Sequence, residues 1–295
     1  MKIVTGPASR NIAQEVATHL GAELVIPYYK QFPDGEHYFR LPEIDPDDEY
    51  VIIQGTHPPQ DKNIVQLLLL TSGLRQLQVR KVKAVIPYLA YARQDKAFLK
   101  GEVVSFSAIL KLMKEAGLDE LVTINAHAPW ALEKAPMKTA NLDAIPEIMS
   151  FIGKDCGKIE IVFSPGKKGQ EMSKVAANIL GAEHFSVTSR RDSLTGDVSI
   201  DLGDARVSGK NVAIIDDIIS TGSTMIQVIK ELKRRGALRV IAACVHGLFI
   251  SNADNQIISA GAERIITTDT IPTPHSYVKV SKLISEYLKI TRNEE

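Results

Sequence analysis

Short apolar runs rich in Ile, Val and Leu alternate along this chain with longer stretches where apolar residues return every three or four positions. The first pattern is that of a buried strand and the second that of an amphipathic helix. Their alternation predicts parallel sheets covered by helices. In the first half the runs predict strands near 3–5, 24–26, 50–54, 84–87 and 121–124, and helices near 11–20, 62–76 and 106–116. In the second half, strands are predicted near 159–163, 185–188, 212–215, 240–245 and 264–267, and helices near 170–180, 224–235, 255–260 and 279–290. The halves share an element order. An α/β fold of two similar domains is therefore expected, 1–143 and 144–295, joined through a stretch between Lys138 and Ile159 that Pro146 and Gly153 punctuate.

Two stretches break the alternation. Phe32-Pro33-Asp34-Gly35-Glu36 reads as a β-turn carrying an aromatic ring and two carboxylates, followed by a short strand at 37–40. Tyr91-Ala92-Arg93-Gln94-Asp95-Lys96 follows a predicted strand and runs on through Lys100-Gly101-Glu102. A long polar loop after a parallel strand is where such sheets keep ligand contacts.

The most informative segment is 212–224, Val-Ala-Ile-Ile-Asp-Asp-Ile-Ile-Ser-Thr-Gly-Ser-Thr. An apolar strand ends by presenting Asp216 and Asp217, and a Ser/Thr/Gly loop then leads into a helix. Free backbone N–H groups, hydroxyl donors and the positive end of a helix dipole converge in such a loop and suit a phosphate. Two carboxylates beside it can accept hydrogen bonds from a sugar diol. Phosphate at one end and diol at the other describe a ribose 5-phosphate site. N-capping accounts for one or two hydroxylated residues but not for the paired aspartates.

Composition narrows the class. Lys plus Arg and Asp plus Glu are both 35, so the net charge is zero, which argues against a broad nucleic-acid surface. Cys156 and Cys244 have no metal-ligand spacing and do not form a disulfide framework. The opening Met-Lys-Ile-Val-Thr-Gly reads as strand and turn rather than a signal peptide. The leucine run 67–70 is too short to span a membrane, and a cytoplasmic protein is expected.

Taken in order, Phe32-Pro-Asp-Gly-Glu, Tyr91-Ala-Arg-Gln-Asp, His127, the 216–224 loop and Val245-His246-Gly247-Leu248-Phe249 resemble the phosphoribosyl diphosphate synthases, or ribose-phosphate diphosphokinases. The likeness spans the whole chain and leans towards archaeal members. It implies type I phosphoribosyltransferase-like domains, a homodimer or higher homo-oligomer, a Mg2+ requirement, and transfer of diphosphate from ATP to the C1 hydroxyl of ribose 5-phosphate. By position it implies that Phe32 and Arg93 sandwich the adenine. Asp34, Glu36, Gln94 and Asp95 then contact the rest of ATP, and His127 meets magnesium or the triphosphate. Asp216 and Asp217 hold sugar hydroxyls. Ser220, Thr221, Gly222, Ser223 and Thr224 hold the 5-phosphate. Gly166, Lys167, Lys168 and Gly169 form the diphosphate loop, and Arg190 and Arg191 are the catalytic cations.

Three positions depart from the family pattern. Asn125 stands where an acid is usual, the 166–169 turn carries two lysines and no carboxylate, and Ser189 stands where a lysine is expected. They motivate an alternative: a weakly active or inactive homologue that binds nucleotide and ribose 5-phosphate and regulates an active paralogue.

Overall fold

The computed structural model describes residues 1–166, 169–191 and 198–293, with backbone alone at 189–191, 198–199 and 293. The chain divides into two units, Met1–Leu142 with Val280–Glu295, and Asp143–Lys279.

The first unit contains β1 (Lys2–Thr5), β2 (Leu24–Val25), β3 (Tyr28–Gln31), β4 (His37–Arg40), β5 (Glu49–Ile53), β6 (Lys81–Ile86), β7 (Glu120–Ile124) and β8 (Lys138–Leu142). Its helices up to that point are α1 (Arg10–Leu20), α2 (Gln60–Gln76), α3 (Ser105–Glu115) and α4 (Pro129–Leu132). Six strands form an all-parallel sheet in the order β2-β1-β5-β6-β7-β8, and β3 and β4 form a separate antiparallel hairpin. Tyr50, Val51, Ile52 and Ile53 are all fully buried, because both faces of a parallel sheet are covered and inward alternation is lost. On one face Val4, Ile52, Ala84 and Ile86 pack with Leu67, Leu70 and Leu74 of α2 and with Phe106, Leu110 and Met113 of α3.

The second unit comprises α5 (Ile145–Asp155), β9 (Ile161–Pro165), α6 (Gly169–Leu180), β10 (Glu183–Arg191), β11 (Val198–Asp201), β12 (Asn211–Ile219), α7 (Ser223–Arg234), β13 (Arg239–Gly247), α8 (Ala253–Ser259), β14 (Arg264–Thr268) and β15 (Ser276–Val278). The sheet order is β11-β10-β9-β12-β13-β14-β15, parallel except for the antiparallel edge strand β11. The α/β class with helix-flanked, mostly parallel sheets is thus present in both units.

The stretch between Lys138 and Ile159 forms β8 and α5, the helix because Ile145, Ile148, Met149 and Ile152 recur at helical spacing and are buried. The last helix, α9 (Ser281–Asn293), was expected in the second domain but packs on α1 of the first unit. Its Ile284 and Leu288 are buried there. Among the described residues no helix is long and apolar enough to cross a membrane.

An ion network ties the start of the first sheet together. Lys83 in β6 is 1% exposed, with its Nζ 2.8 Å from Glu49 in β5 and 3.6 Å from Glu120 in β7. Glu120 lies 3.6 Å from Lys138 in β8 and accepts a 2.8 Å hydrogen bond from the Tyr287 hydroxyl of α9. Breaking such a network by removing one partner leaves buried charge uncompensated. Lys83→Met is expected to lower the unfolding free energy by about 3 kcal/mol in a urea titration. Tyr287→Phe is expected to cost about 1 kcal/mol. A Lys83→Met loss well below 1 kcal/mol would show the network to be solvated.

In α7, hydrogen bonding from Arg234, seconded by Arg235, holds the Glu231 carboxyl down at about 2. A depressed carboxyl stabilises the fold above its unfolded value near 4.5 and loses that contribution as pH falls towards 2. Because Arg234 is 72% exposed, the pair contributes on the order of 1 kcal/mol. Glu231→Gln should therefore melt lower than wild type at pH 7, and the gap should narrow below pH 4.5.

Candidate functional site

In an open α/β sheet, ligands sit at the carboxyl ends of strands where the chain reverses its direction of winding. In the second unit the chain leaves β9 for β10 on one side and returns to β12 on the other. The loops after β9 and β12 are those expected to hold diphosphate and sugar phosphate. β9 pairs with β12 as far as Phe163 opposite Ile214, so the loops after the two strands leave the same edge of the sheet.

β12 runs further than its apolar stretch suggests. Asp216 and Asp217 lie within the strand rather than at its end, and pairing with β13 continues to Ile219 opposite Gly247. Both carboxylates are half-buried. Each orients itself on the backbone: Asp216 Oδ1 accepts from the Asp217 N–H at 2.9 Å, and Asp217 Oδ1 accepts from the Ile218 N–H at 2.8 Å. Cys244 pairs with Asp216 across the ladder, and burial pushes its thiol pKa well up, so it stays neutral packing.

Ser220, Thr221 and Gly222 form the loop, and Ser223 and Thr224 already belong to the first turn of α7. Gly222 has φ +70, and a Cβ there would lie 3.2 Å from both Ala253 Cβ and Ile257 Cδ1. No side chain caps the helix, and its first long-range bond is Ile226 N–H to Gly222 O at 2.8 Å. The N–H groups of the first turn thus have no intrahelical acceptor, beside the exposed Thr221, Ser223 and Thr224.

The neighbouring loop, after β9, also has a glycine of left-handed backbone. Gly166 has φ +76 and its N–H bonds Val187 O at 2.8 Å. A Cβ on Gly169 would lie 2.2 Å from Ser164 Oγ, so only glycine starts α6 there. Among the described residues that buried hydroxyl has no hydrogen-bond partner, an unused polar group beside the start of α6. Lys167 and Lys168 lie outside the described residues, as do the side chains of Ser189, Arg190 and Arg191.

The first unit carries the same winding reversal between β1 and β5, but it is plugged. Gln54 is fully buried with its Oε1 accepting the Ala8 N–H at 3.0 Å, and a Cβ on Gly6 would strike that oxygen at 2.2 Å. The Gly55 N–H is spent on Ser9 Oγ and the Thr56 N–H on Tyr88 O. Pro58 and Pro59 have no N–H to offer. This copy of the loop is closed to phosphate.

The candidate groups of the first unit lie elsewhere, and the first turns of α2 hold two of their loops. Phe32, Asp34 and Glu36 form the tip of the β3–β4 hairpin, closed by Phe32 N–H to Glu36 O at 2.8 Å and Gly35 N–H to Phe32 O at 2.9 Å. The hairpin is anchored by Lys62 Nζ to Gln31 Oε1 at 3.3 Å and by Gln66 Nε2 to the Tyr29 hydroxyl at 3.1 Å. Tyr29 contacts His37 Nδ1 at 3.2 Å, and burial pushes the His37 pKa down. The loop after β6 is anchored by the Tyr91 hydroxyl donating to Asp61, which pushes the Tyr91 pKa up. Tyr91 takes φ +65, a conformation non-glycine residues avoid.

The three polar residues that follow are unequal. Arg93 is exposed. The Gln94 side chain accepts from Ser105 Oγ at 2.8 Å, and the half-buried Asp95 accepts from Trp130 Nε1 at 2.6 Å. His127 is half-buried in the loop after β7, two residues beyond Asn125 at φ +38. The Trp130 bond joins that loop to the Arg93 loop. Sequence reasoning passed over Trp130, although it is the chain's only tryptophan and lies three residues after His127. Among the described residues no three His, Cys, Asp or Glu gather as a metal site. His246, left unassigned, is buried with Nδ1 2.8 Å from Thr270 Oγ1.

With this geometry in hand, similarity to known proteins is informative. The family model for the N-terminal domain of ribose phosphate pyrophosphokinase matches residues 1–117, and a phosphoribosyl transferase domain model matches 138–257. A ribose-phosphate pyrophosphokinase of Sulfurisphaera tokodaii is 38% identical over 281 residues, 95% of this chain and 96% of that one. One of Methanobrevibacter smithii is 35% identical over 297 residues, 97% and 99% of the two chains. The crystal structure of phosphoribosylpyrophosphate synthetase from Mycobacterium smegmatis shares the fold, with a TM-score of 0.89 over 100% of this chain and 99% of that one at 21% identity.

The Gly222 geometry yields a test. Gly222→Ala adds left-handed strain of roughly 1 kcal/mol and a tight contact with α8. Binding of ribose 5-phosphate, followed by calorimetry, should weaken about tenfold while far-ultraviolet circular dichroism stays unchanged.

Proposed function

The chain belongs to the ribose-phosphate pyrophosphokinase family, and on that premise we propose that it transfers diphosphate from ATP to the C1 hydroxyl of ribose 5-phosphate, giving phosphoribosyl diphosphate and AMP. The C1 oxygen attacks the β-phosphorus, the bond from that phosphorus to the α–β bridging oxygen breaks, and AMP leaves. Such a reaction asks the protein for in-line placement and for neutralisation of growing negative charge, with little covalent help. The observation that carries the reading is the half-buried Asp216–Asp217 pair, followed at once by the uncapped start of α7 at a winding reversal.

Asp216 and Asp217 accept hydrogen bonds from the sugar hydroxyls. Residues 220–224 surround the 5-phosphate with hydroxyls and backbone N–H groups. Gly166 to Gly169, with the unused Ser164 hydroxyl, receive the diphosphate, and Lys167 and Lys168 bring positive charge where a carboxylate is usual. Phe32 and Arg93 stack on the base, since an aromatic ring and a guanidinium both suit a flat heterocycle. Asp34, Glu36, Gln94 and Asp95 bond the remaining polar edges of ATP. Arg190 and Arg191 are the catalytic cations; arginine does not replace a lysine in reach or geometry, so Ser189 bears on rate rather than on binding.

Magnesium fits the donors present in one particular way. Mg2+ keeps waters and is commonly held by one or two carboxylates plus substrate phosphates, which suits a chain without a dedicated three-ligand cluster among its described residues. His127 keeps its place as the contact at the metal–triphosphate end, though an imidazole alone is a weak ligand for so hard a cation. When bound, the metal neutralises the triphosphate. The protein acts in the cytoplasm as a homodimer or a multiple of one. The exposed Tyr28, Tyr38, Val65 and Leu69 on the hairpin and α2 support an oligomer.

The test is to incubate the protein with ATP, magnesium and ribose 5-phosphate and to measure AMP and phosphoribosyl diphosphate. The two products should appear in equal amounts. Asp216→Asn and Asp217→Asn should each cut kcat/KM for ribose 5-phosphate roughly a hundredfold. Bound nucleotide without products, with activity appearing on Ser189→Lys plus Gly166→Asp, would favour the regulatory homologue instead.

A further inference from the structure

Trp130 stands on the second position of a four-residue helix, after Pro129, and is 39% exposed. Its indole N–H donates a 2.6 Å hydrogen bond to Asp95 Oδ2, 35 positions away in sequence. The bond crosses from the loop after β7 to the loop after β6, joining the segment that carries His127 to the segment that carries Arg93. The two loops leave β6 and β7, which pair as far as Ile86 opposite Thr123, and beyond that pairing this side-chain bond ties one loop to the other. A hydrogen bond to an ionised carboxylate is short and strong, and it removes rotational freedom from the acceptor. It also draws charge from a carboxylate that would otherwise face a polyphosphate with its full negative field.

From this arrangement we infer that Trp130 is a positioning residue of the nucleotide site. It holds Asp95 in one rotamer so that the carboxylate presents a single oriented acceptor to ATP. The inference rests on the reading above that the Arg93–Asp95 loop receives the nucleotide. Its half-exposed ring lies in the same loop cluster and senses what binds there. Gln94, held by Ser105 Oγ at 2.8 Å, is fixed in the same way from the other side of the loop. Arg93 beside them is exposed.

Because Trp130 is the chain's only tryptophan, its emission reports this position alone. Wild-type protein is titrated with ATP and magnesium in the absence of ribose 5-phosphate. Emission is followed beside a calorimetric titration, and AMP is assayed afterwards in a parallel sample to which ribose 5-phosphate is added. The emission should change saturably, with a midpoint that matches calorimetry. Trp130→Phe, which keeps the ring and removes the N–H, should raise KM for ATP about tenfold. kcat and KM for ribose 5-phosphate should move less than about twofold. Asp95→Asn should shift the resting emission and raise the same KM, and the double variant should be no worse than the poorer single, because the two groups act as one unit. Calorimetric binding with flat emission and an unchanged KM in Trp130→Phe would overturn the inference. If Trp130→Phe does not fold, the wild-type emission titration and Asp95→Asn decide alone. A protein that binds ATP with the emission change but makes no AMP would sink the proposed reaction and leave this inference standing.

Discussion

Parallel pairing of β9 with both β10 and β12 is the constraint on which the second unit's chemistry depends. Parallel strands end at the same edge, so the loops that follow them meet there. Reversal of winding between β9 and β12 keeps any crossover helix from covering the gap between those two loops. To the loops that border that gap the chain gives two glycines of left-handed backbone, Gly166 and Gly222, a pair of carboxylates and, among the described residues, a helix start with no side-chain cap. None of these groups is unusual alone. What brings them near one another is the parallel pairing of β9 with β12, which sends the loops after both strands to the same edge of the sheet.

The first unit shows what happens when the same topology is filled. Gln54 occupies the corresponding crevice, Ser9 and Tyr88 consume the loop's N–H groups, and two prolines replace donors. The proposed nucleotide groups are displaced to the hairpin tip and to the loops after β6 and β7. They are held there by Asp61, Lys62 and Gln66 of α2 and by the Trp130–Asp95 bond. The buried Lys83 network secures the opposite edge of the first sheet, away from these loops.

Much of this was legible from residue order. Apolar runs marked the central strands of both sheets because strands buried on two faces need continuous hydrophobicity. The 212–224 segment suggested a phosphate and a diol because few local sequences combine paired acids with a Ser/Thr/Gly turn before a helix, and its strand, loop and helix are present in that order. Local pattern was weakest where pairing partners are distant or short. It missed β3, whose polar residues bury little, as well as the edge strands β8, β11 and β15. It ended β12 at the carboxylates, although the neighbouring strand β13 extends the ladder to Ile219.

By itself the sequence determined the α/β class, the strand-loop-helix chemistry of residues 212–224 and the order of motifs that identifies the family, since each is written in local periodicity and spacing. The tertiary structure alone decided which unit receives α9, that Gln54 plugs the winding reversal of the first unit, and that Gln94 and Asp95 are held by Ser105 and Trp130. Those outcomes depend on side chains far apart in the chain, Tyr287 with Glu120, Gly6 with Gln54 and Trp130 with Asp95, and contacts at that separation leave no period or spacing in a sequence.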